Sequence, residues 1–307
     1  MQGGERYNSI SDFLKKEFGG KTVKLSVDAG FTCPNRDGSK GTGGCAFCSE
    51  GGSGELSAHA DSMTESISEQ IDRLSVKWPD ANYIAYFQSF TNTYAPVEVL
   101  KERYYAALDD PRISGIAIAT RPDCLPDDVL DLLEDINKEH FMWVELGLQS
   151  VHRETQDAMN LCYTTEDYDR VVSELKKRGI RFVTHLILGL PGETEEMMFE
   201  SLHRVCDNPS KRPFGLKLHL MNIVKTSPLY KAMPDYIPFV SMDEYVDLAV
   251  RCLEIIPPEI TIHRLTGDVP RKILASPEWS YRKRTILNAI NKELALRDTC
   301  QGRHTII

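Results

Sequence analysis

Three of the eight cysteines fall in one glycine-rich stretch, GFTCPNRDGSKGTGGCAFC at residues 30–48, where Cys33, Cys45 and Cys48 follow the spacing C-x11-C-x2-C. The other five, Cys124, Cys162, Cys206, Cys252 and Cys300, are dispersed and make no second C-x2-C pair. A lone thiol of that kind usually serves as a small apolar side chain. A structural zinc site wants four closed ligands, commonly two pairs, whereas this stretch offers one pair and a singleton. Three thiolates suit a cubane of four irons in which one iron keeps a position for a non-protein ligand. The glycines let the backbone wrap closely around the sulfurs. An open iron of this kind can chelate the amine and carboxylate of a methionyl group, the arrangement needed to pass one electron into the sulfonium of S-adenosylmethionine and break its bond to the 5′ carbon. A non-catalytic zinc-binding interaction protein is the alternative reading of the same residues.

Composition sets the frame for that chemistry. With 307 residues, 41% hydrophobic and 26% charged, the chain is close to globular averages and long enough for two small domains or one α/β barrel. Its opening residues show no basic segment followed by an apolar stretch, so no secretory signal is expected. No apolar run approaches the roughly 18 residues of a membrane span. A cytoplasmic protein is the expectation, and in that reducing compartment clustered cysteines serve metals or catalysis rather than disulfides. The formal net charge of -9 disfavours nonspecific polyanion binding. Residues 264–303, however, hold nine Arg or Lys against four Asp or Glu, which makes the tail locally basic.

The elements that must position these residues alternate regularly. TVKLSV (22–27) reads as a strand by its alternation and β-branched content, and it runs directly into the cysteine stretch. Further strands are expected at 83–88, 115–120, 142–148, 181–188 and 215–221. Between them, Ser62 with Glu65 makes a capping box, and Pro96 and Pro126 open helices. Apolar residues then recur at helical spacing from about Glu166 until Gly179, Thr194 starts another helix, and Ser241 with Glu244 makes a second capping box. Six strands separated by helices imply parallel pairing through right-handed crossovers. No Gly-x-Gly-x-x-Gly follows the first strand, so the expected fold is α/β, a partial (β/α)6 TIM-like barrel of parallel strands with a C-terminal helical extension. Residues 1–256 are assigned to the barrel with its N-terminal helix and cysteine loop, and 257–307 to the extension that closes it. Barrel chemistry sits in loops after the carboxyl ends of strands, which is where the cysteine loop falls.

Along those strand ends run DAGFTCPNRDG, GGCAFC, YFQSFTNTYAP, TRPDCL, ELGLQS, HLILGLPGET, KLHL and IHRLTGD. On these motifs the chain resembles the radical S-adenosylmethionine enzymes, and more narrowly their YhcC/YtqA-like subgroup, which shares its core with the radical domain of the Elongator catalytic subunit. The resemblance implies one 4Fe-4S cluster held by Cys33, Cys45 and Cys48, with S-adenosylmethionine cleaved to a 5′-deoxyadenosyl radical. It places Phe47 near the adenine. Gln88, Ser89, Thr91 and Asn92 stand where related enzymes carry a Gly-Gly-Glu segment that holds the methionyl amine. Glu145 and Gln149 match positions facing the cofactor's ribose and methionyl end, with a salt-bridged barrel residue as the alternative for Glu145. Gly189 and Pro191 would shape a loop against the adenine. His185, Lys217 and His219 are candidate substrate contacts or hydrogen-bonded core residues, and GGSGE (51–55) reads as flexible loop.

One departure stands out. Related sequences continue after ELGLQS to Asn-Arg-Gly-His, whereas this chain has Asn160, Leu161, Cys162 and Tyr163. The missing arginine would pair with a carboxylate of the cofactor, and Arg121 or Lys24 is the expected substitute. The subgroup's association with tRNA maturation implies a substrate, the aminomethyl-type side chain at carbon 5 of the wobble uridine in the mnm5s2U-type pathway. Arg271, Lys272, Arg282, Lys283 and Arg284, near Trp279 and Tyr281, could then grip an anticodon loop by phosphate contacts and stacking. The same tail could instead be a helix closing the barrel. A reducing partner of flavodoxin or ferredoxin type is also implied. The other functional class is a radical enzyme acting on a protein or small metabolite, which would keep the cluster residues and tolerate a neutral tail.

Overall fold

The computed structural model describes residues 6–52 and 63–305; the capping residue expected at Ser62 and part of the 51–55 glycine loop lie outside them. The strands, numbered in chain order, are β1 (Thr22–Val27), β2 (Asn82–Phe87), β3 (Ile113–Thr120), β4 (Phe141–Gln149), β5 (Phe182–Leu188), β6 (Gly215–Leu220), the two-residue β7 (Ile223–Val224), β8 (Thr261–Arg264) and β9 (Leu274–Ser276). Strands β1 to β6, followed by β8, make one open curled sheet in which every pairing is parallel, while β7 and β9 pair antiparallel beside it. Parallel neighbours require crossovers. The helices supply them: α1 (Ile10–Phe18) leads, then α2 (Met63–Ser75), α3 (Val97–Leu108), α4 (Asp127–Glu139), the short α5 (Arg153–Ala158) with α6 (Thr165–Lys177), α7 (Glu195–Cys206), α8 (Pro228–Ala232) with α9 (Met242–Ile255), and α10 (Lys283–Leu296).

This is the expected partial TIM-like barrel with a helical C-terminal region. All six strands read from the sequence are present to within two residues, and β8 adds a seventh. Four residues, TIHR, carry too little alternation to announce a strand. What makes them one is pairing with β6, where Gly215 faces Thr261 and Leu216 faces Ile262.

Alternation along each strand divides the side chains between two environments. On β2, Tyr83, Ala85 and Phe87 pack outward beneath the helices, while Ile84 and Tyr86 turn into the barrel. On β4, Met142, Val144, Leu146 and Leu148 join the outer core, and Trp143, Glu145, Gly147 and Gln149 face inward. One end of the interior is filled by Leu14 of α1 with Ile84, Tyr86, Ala117, Trp143 and Val183. Edge-to-face rings extend this plug, with Phe13–Phe214 at 5.0 Å, Phe18–Phe141 at 5.1 Å and Trp143–His263 at 5.6 Å. Helix α1 touches both β1 and β8, the two edges of the open sheet, so it closes the gap at this end. A ring buried like Trp143 contributes about 3–5 kcal/mol against truncation to alanine.

Local signals set the helix bounds. Thr164 begins α6 with a capping box: its hydroxyl accepts from the Asp167 N–H at 3.2 Å, and the Asp167 carboxylate accepts from the Thr164 N–H at 2.9 Å. Such a cap is worth about 1 kcal/mol. Gly179, at φ 65°, ends the same helix as the glycine pattern predicts.

Candidate active site

The end of the barrel opposite α1 opens into a cavity of about 250 Å³. Cys33, Cys45 and Cys48 line it together, with Phe47 among them. The loop that carries them is glycine-rich but held in place. The Cys33 carbonyl accepts from the N–H groups of Arg36 (2.8 Å) and Asp37 (3.2 Å), and the Cys48 N–H donates to the Cys45 carbonyl at 2.9 Å, closing the C-x2-C turn. Asn35 is fully buried; its side-chain amide lies 3.7 Å from the Cys45 sulfur and donates to the Asn160 carbonyl. Asn160, left-handed at φ 52°, donates in return to the carbonyls of Gly44 (2.8 Å) and Thr42 (3.3 Å). A Cβ at Gly41 would stand 2.2 Å from Asn35 Oδ1, so only glycine lets the chain pass this clamp. The Asn160-Leu161-Cys162-Tyr163 segment that departs from related sequences thus braces the cysteine loop.

The cysteines lie close enough to act on one another. A hydrogen bond between Cys45 and Cys48, with burial and the neighbouring charge of Cys48, pushes the Cys45 thiol well above its ordinary range. Among the described residues, no three His, Cys, Asp or Glu side chains converge tightly enough to hold a single metal ion. Thiolates sharing one zinc each lie about 2.3 Å from it. A cubane in which each of three thiolates takes its own iron is the wider group, and all three cysteines line this one cavity.

Of the two candidate cations, Arg121 reaches the cysteines and Lys24 does not. Arg121, at the end of β3, forms a two-pronged pair with Asp123 (2.9 and 3.0 Å), and Asp123 also holds Lys40 of the cysteine loop at 2.7 Å. Its guanidinium lies 4.9 Å over the Tyr163 ring, and Nη1 is left 3.9 Å from the Cys33 sulfur. Burial alone would raise the Asp123 carboxyl, but its hydrogen bond and attraction to Arg121 outweigh that and hold it below the usual range. Lys24 lies on the barrel floor, 4.8 Å over the Tyr86 ring and 4.0 Å from Glu145.

The floor is a buried polar network. Glu145 is fully buried and accepts from Trp143 Nε1 (3.0 Å), the Tyr86 hydroxyl (2.6 Å), His185 Nε2 (3.0 Å) and the Lys217 ammonium. Lys217 also donates to the Tyr86 hydroxyl at 3.0 Å. Burial would raise the Glu145 carboxyl; the charges of Lys217 and Lys24 outweigh it and keep the group ionised, well below its ordinary pKa. His185 is pushed down to about 4 by burial and by the Lys217 charge, so it is neutral near pH 7 and carries its proton on Nε2 toward Glu145. Its ring lies 5.0 Å from that of His219, which burial and the Arg264 charge also hold well below the ordinary range.

Glu145, His185, Lys217 and His219 all border the cavity, as do Gln88, Thr91 and Gln149. Ser89, Asn92 and Gly189 do not. Asn92 ties its loop to β3, its side chain donating to the Ala119 carbonyl at 2.9 Å. Gly189 abuts Phe239, whose ring a Cβ would meet at 2.6 Å. Trp279, expected to be free for stacking, tilts against Tyr245 at 6.2 Å with its N–H enclosed. Arg36, Tyr86, Arg264 and Asp268, quoted only inside motifs, Tyr163, named only in the departing segment, and Asn222, not named, also line the wall without having been assigned a role from the sequence. Tyr86 was legible through its inward parity with Ile84; Arg264 and Asp268 depend on the unrecognised β8.

An open parallel barrel with three cysteines at the mouth after β1 defines a class, and comparison with known proteins agrees. The Radical SAM superfamily model matches residues 36–205, and that of the Radical SAM C-terminal domain matches 213–295. The chain belongs to the radical SAM superfamily: it is a radical SAM enzyme whose cofactors are a 4Fe-4S cluster and S-adenosylmethionine, and it requires an electron donor. Within the superfamily it falls in the YhcC/YtqA-like subgroup. It is 44% identical over 301 residues to the uncharacterized protein YtqA of Bacillus subtilis, covering 97% of this chain and 92% of that one. It is 28% identical over 193 residues to Elongator complex protein 3 of Saccharomyces cerevisiae, covering 62% of this chain and 34% of that one. Among solved structures, the archaeal Methanocaldococcus infernus Elp3 lacking residues 1–46 shares the fold with a TM-score of 0.66 at 18% identity, over 91% of this chain; this chain spans 64% of that one. No helix among the described residues is long and apolar enough to cross a membrane.

Proposed function

We propose that Cys33, Cys45 and Cys48 hold the cluster and that the enzyme remodels the aminomethyl-type side chain at carbon 5 of the wobble uridine in tRNA. One observation carries the reading: a single cavity has the three thiols on one wall and a buried hydrogen-bonding floor on the other, leaving room for a substrate group between them. The tRNA assignment is supported by the likeness to Elongator complex protein 3 and by exposed cations at the cavity's rim. The cluster and S-adenosylmethionine, when bound, supply a carbon radical that takes a hydrogen atom from the substrate.

This chain's residues bind, orient and contain. Phe47, Gln88, Thr91 and Gln149 contact the cofactor from the cavity wall, and Arg121 takes the place of the missing arginine beside it. Ser89, Asn92 and Gly189 shape the loops behind that wall. Glu145 acts through others, fixing Tyr86, His185 and Lys217 in place. His185, Lys217 and His219 meet the substrate. Because Glu145 pairs with Lys217 and His185 is neutral, the floor presents directed hydrogen bonds. A reactive carbon radical needs such containment, since any misplaced C–H or water nearby would divert it. A small reductant of flavodoxin or ferredoxin type delivers the electron, and the cytoplasm is the compartment.

Two measurements test the proposal. Cys45→Ala should purify anaerobically without the broad visible absorption of a cubane and without cofactor cleavage; full deoxyadenosine production by that variant removes the ligand assignment. Nucleosides from bulk tRNA, compared with and without the gene, should show a wobble-uridine derivative lost and its precursor accumulating, and unchanged wobble uridines would end the tRNA reading.

A further inference from the structure

The cavity's rim carries a built surface that the chemistry inside does not use. Asp268 and Val269 line the cavity, and just beyond them Arg271 lays its guanidinium 4.6 Å over the Tyr281 ring. Arg282 stacks on the same ring at 5.6 Å and donates from Nε to the Tyr281 hydroxyl at 3.2 Å. Two contacts tie this stack to the cavity wall. On one side of Tyr281 in sequence, the Ser280 hydroxyl accepts from Asn222 at 2.7 Å; on the other, Lys283 pairs with Asp268 at 2.9 Å. Both Asn222 and Asp268 border the cavity.

The chemistry of the rim is specific. Arg271, Lys272, Arg282 and Arg284 are exposed, and among the described residues none of them forms an ion pair. Four exposed cations within 14 residues make this edge of the cavity locally positive in a chain of net charge -9. A guanidinium stacked on an aromatic ring is held in orientation by its face while its in-plane N–H groups stay free, the geometry that suits a phosphate. Tyr281 orients both guanidiniums at once, so the two cations form one fixed set of donors.

We propose that the Arg271–Tyr281–Arg282 stack is the enzyme's contact for single-stranded RNA. The two arginines, oriented by Tyr281, take backbone phosphates next to the target nucleotide, so that the target base is turned into the cavity. The proposal rests on the tRNA reading and specifies where that substrate is held. An unpaired loop is the natural partner, because its bases can be splayed out without melting a helix. Trp279 has no part in it, being packed against Tyr245.

The test is fluorescence anisotropy of an anticodon stem-loop RNA with cluster-loaded enzyme over a series of salt concentrations, the cluster absorption confirming that each variant is folded. Arg271→Gln with Arg282→Gln should weaken binding and reduce the slope of log affinity against log salt by about 1.4, or about 0.7 for each lost phosphate contact on a single strand. Tyr281→Ala, which keeps both charges but frees two arginine side chains that must then be ordered on binding, should weaken binding about 5- to 150-fold with the slope unchanged. Lys15→Gln with Lys16→Gln, exposed cations on α1, should bind as the parent does. Parent enzyme that binds the RNA while the stack variants match it in affinity and slope overturns the proposal and leaves the tRNA reading standing. Parent enzyme that fails to bind RNA at all sinks both. A poly-glutamate peptide that binds the parent, loses affinity in the arginine variants and is not displaced by the RNA would make the stack a protein-docking surface and likewise overturn it.

Discussion

Lys217→Met should destabilise the enzyme more than any other single change on the cavity floor. Lys217 and Glu145 are 1% and 0% exposed, and their side chains touch. Replacing the ammonium by a methyl thioether leaves a buried carboxylate without its charged partner, a change that usually costs about 3–5 kcal/mol. Glu145 is not abandoned entirely: Trp143, Tyr86 and His185 still donate to it, and Lys24 remains 4.0 Å away. At an effective dielectric of about 20, that last charge alone supplies up to about 4 kcal/mol of attraction before solvation is counted. These remaining partners place the expected loss near the lower bound, about 3 kcal/mol, or a fall of about 6–12 °C in melting temperature. Anaerobic denaturant unfolding and thermal melts of Lys217→Met, Glu145→Gln and the double variant make a thermodynamic cycle. The double variant should recover about 2 kcal/mol relative to the sum of the singles, because no buried charge is then left alone. Equal stability of Lys217→Met and the parent, or strict additivity in the cycle, would refute the ion-paired floor and restore Glu145 as a residue free to meet the cofactor.

Arg121→Gln should lower the cluster's midpoint potential, because removing a cation beside the Cys33 sulfur destabilises the more negative reduced state. The Asp123 carboxylate next to Arg121 offsets part of its field, so the shift in an anaerobic redox titration followed by electron paramagnetic resonance should be on the order of tens of millivolts; an unchanged potential excludes the role. Stability should also fall in acid through His185. Its pKa of about 4 in the folded protein lies below the unfolded value of about 6.5, so the unfolded chain takes up the proton first and stability drops as pH falls from about 6.5 to 4, by up to about 3 kcal/mol, while staying level above that window. His185→Gln should flatten part of that slope in urea midpoints measured against pH, with His219 and His263 supplying the remainder in the same direction; an unaltered slope would show that His185 is already charged in the fold.

How much of this was readable in advance follows from the range of the physics involved. Strand alternation is local and put Lys217 and His219 on one face of β6, the family resemblance singled out Glu145 and His185, and the C-x11-C-x2-C spacing named the thiols. Alternation assigns a residue to a face of the sheet but not to a height in the barrel. That Lys217 meets Glu145, 72 residues away, follows from how β4, β5 and β6 are staggered, with Gly147 beside His185 and His185 beside Lys217. Arg121 and Lys24 were equivalent as sequence symbols; their strands put one beside the cysteines and the other on the floor. Trp279 looked available for stacking until packing against Tyr245 enclosed it, and TIHR became a strand only because β6 offered an edge. Residue type and spacing are properties of a few neighbouring residues. Contact across the barrel arises only when the whole sheet has curled.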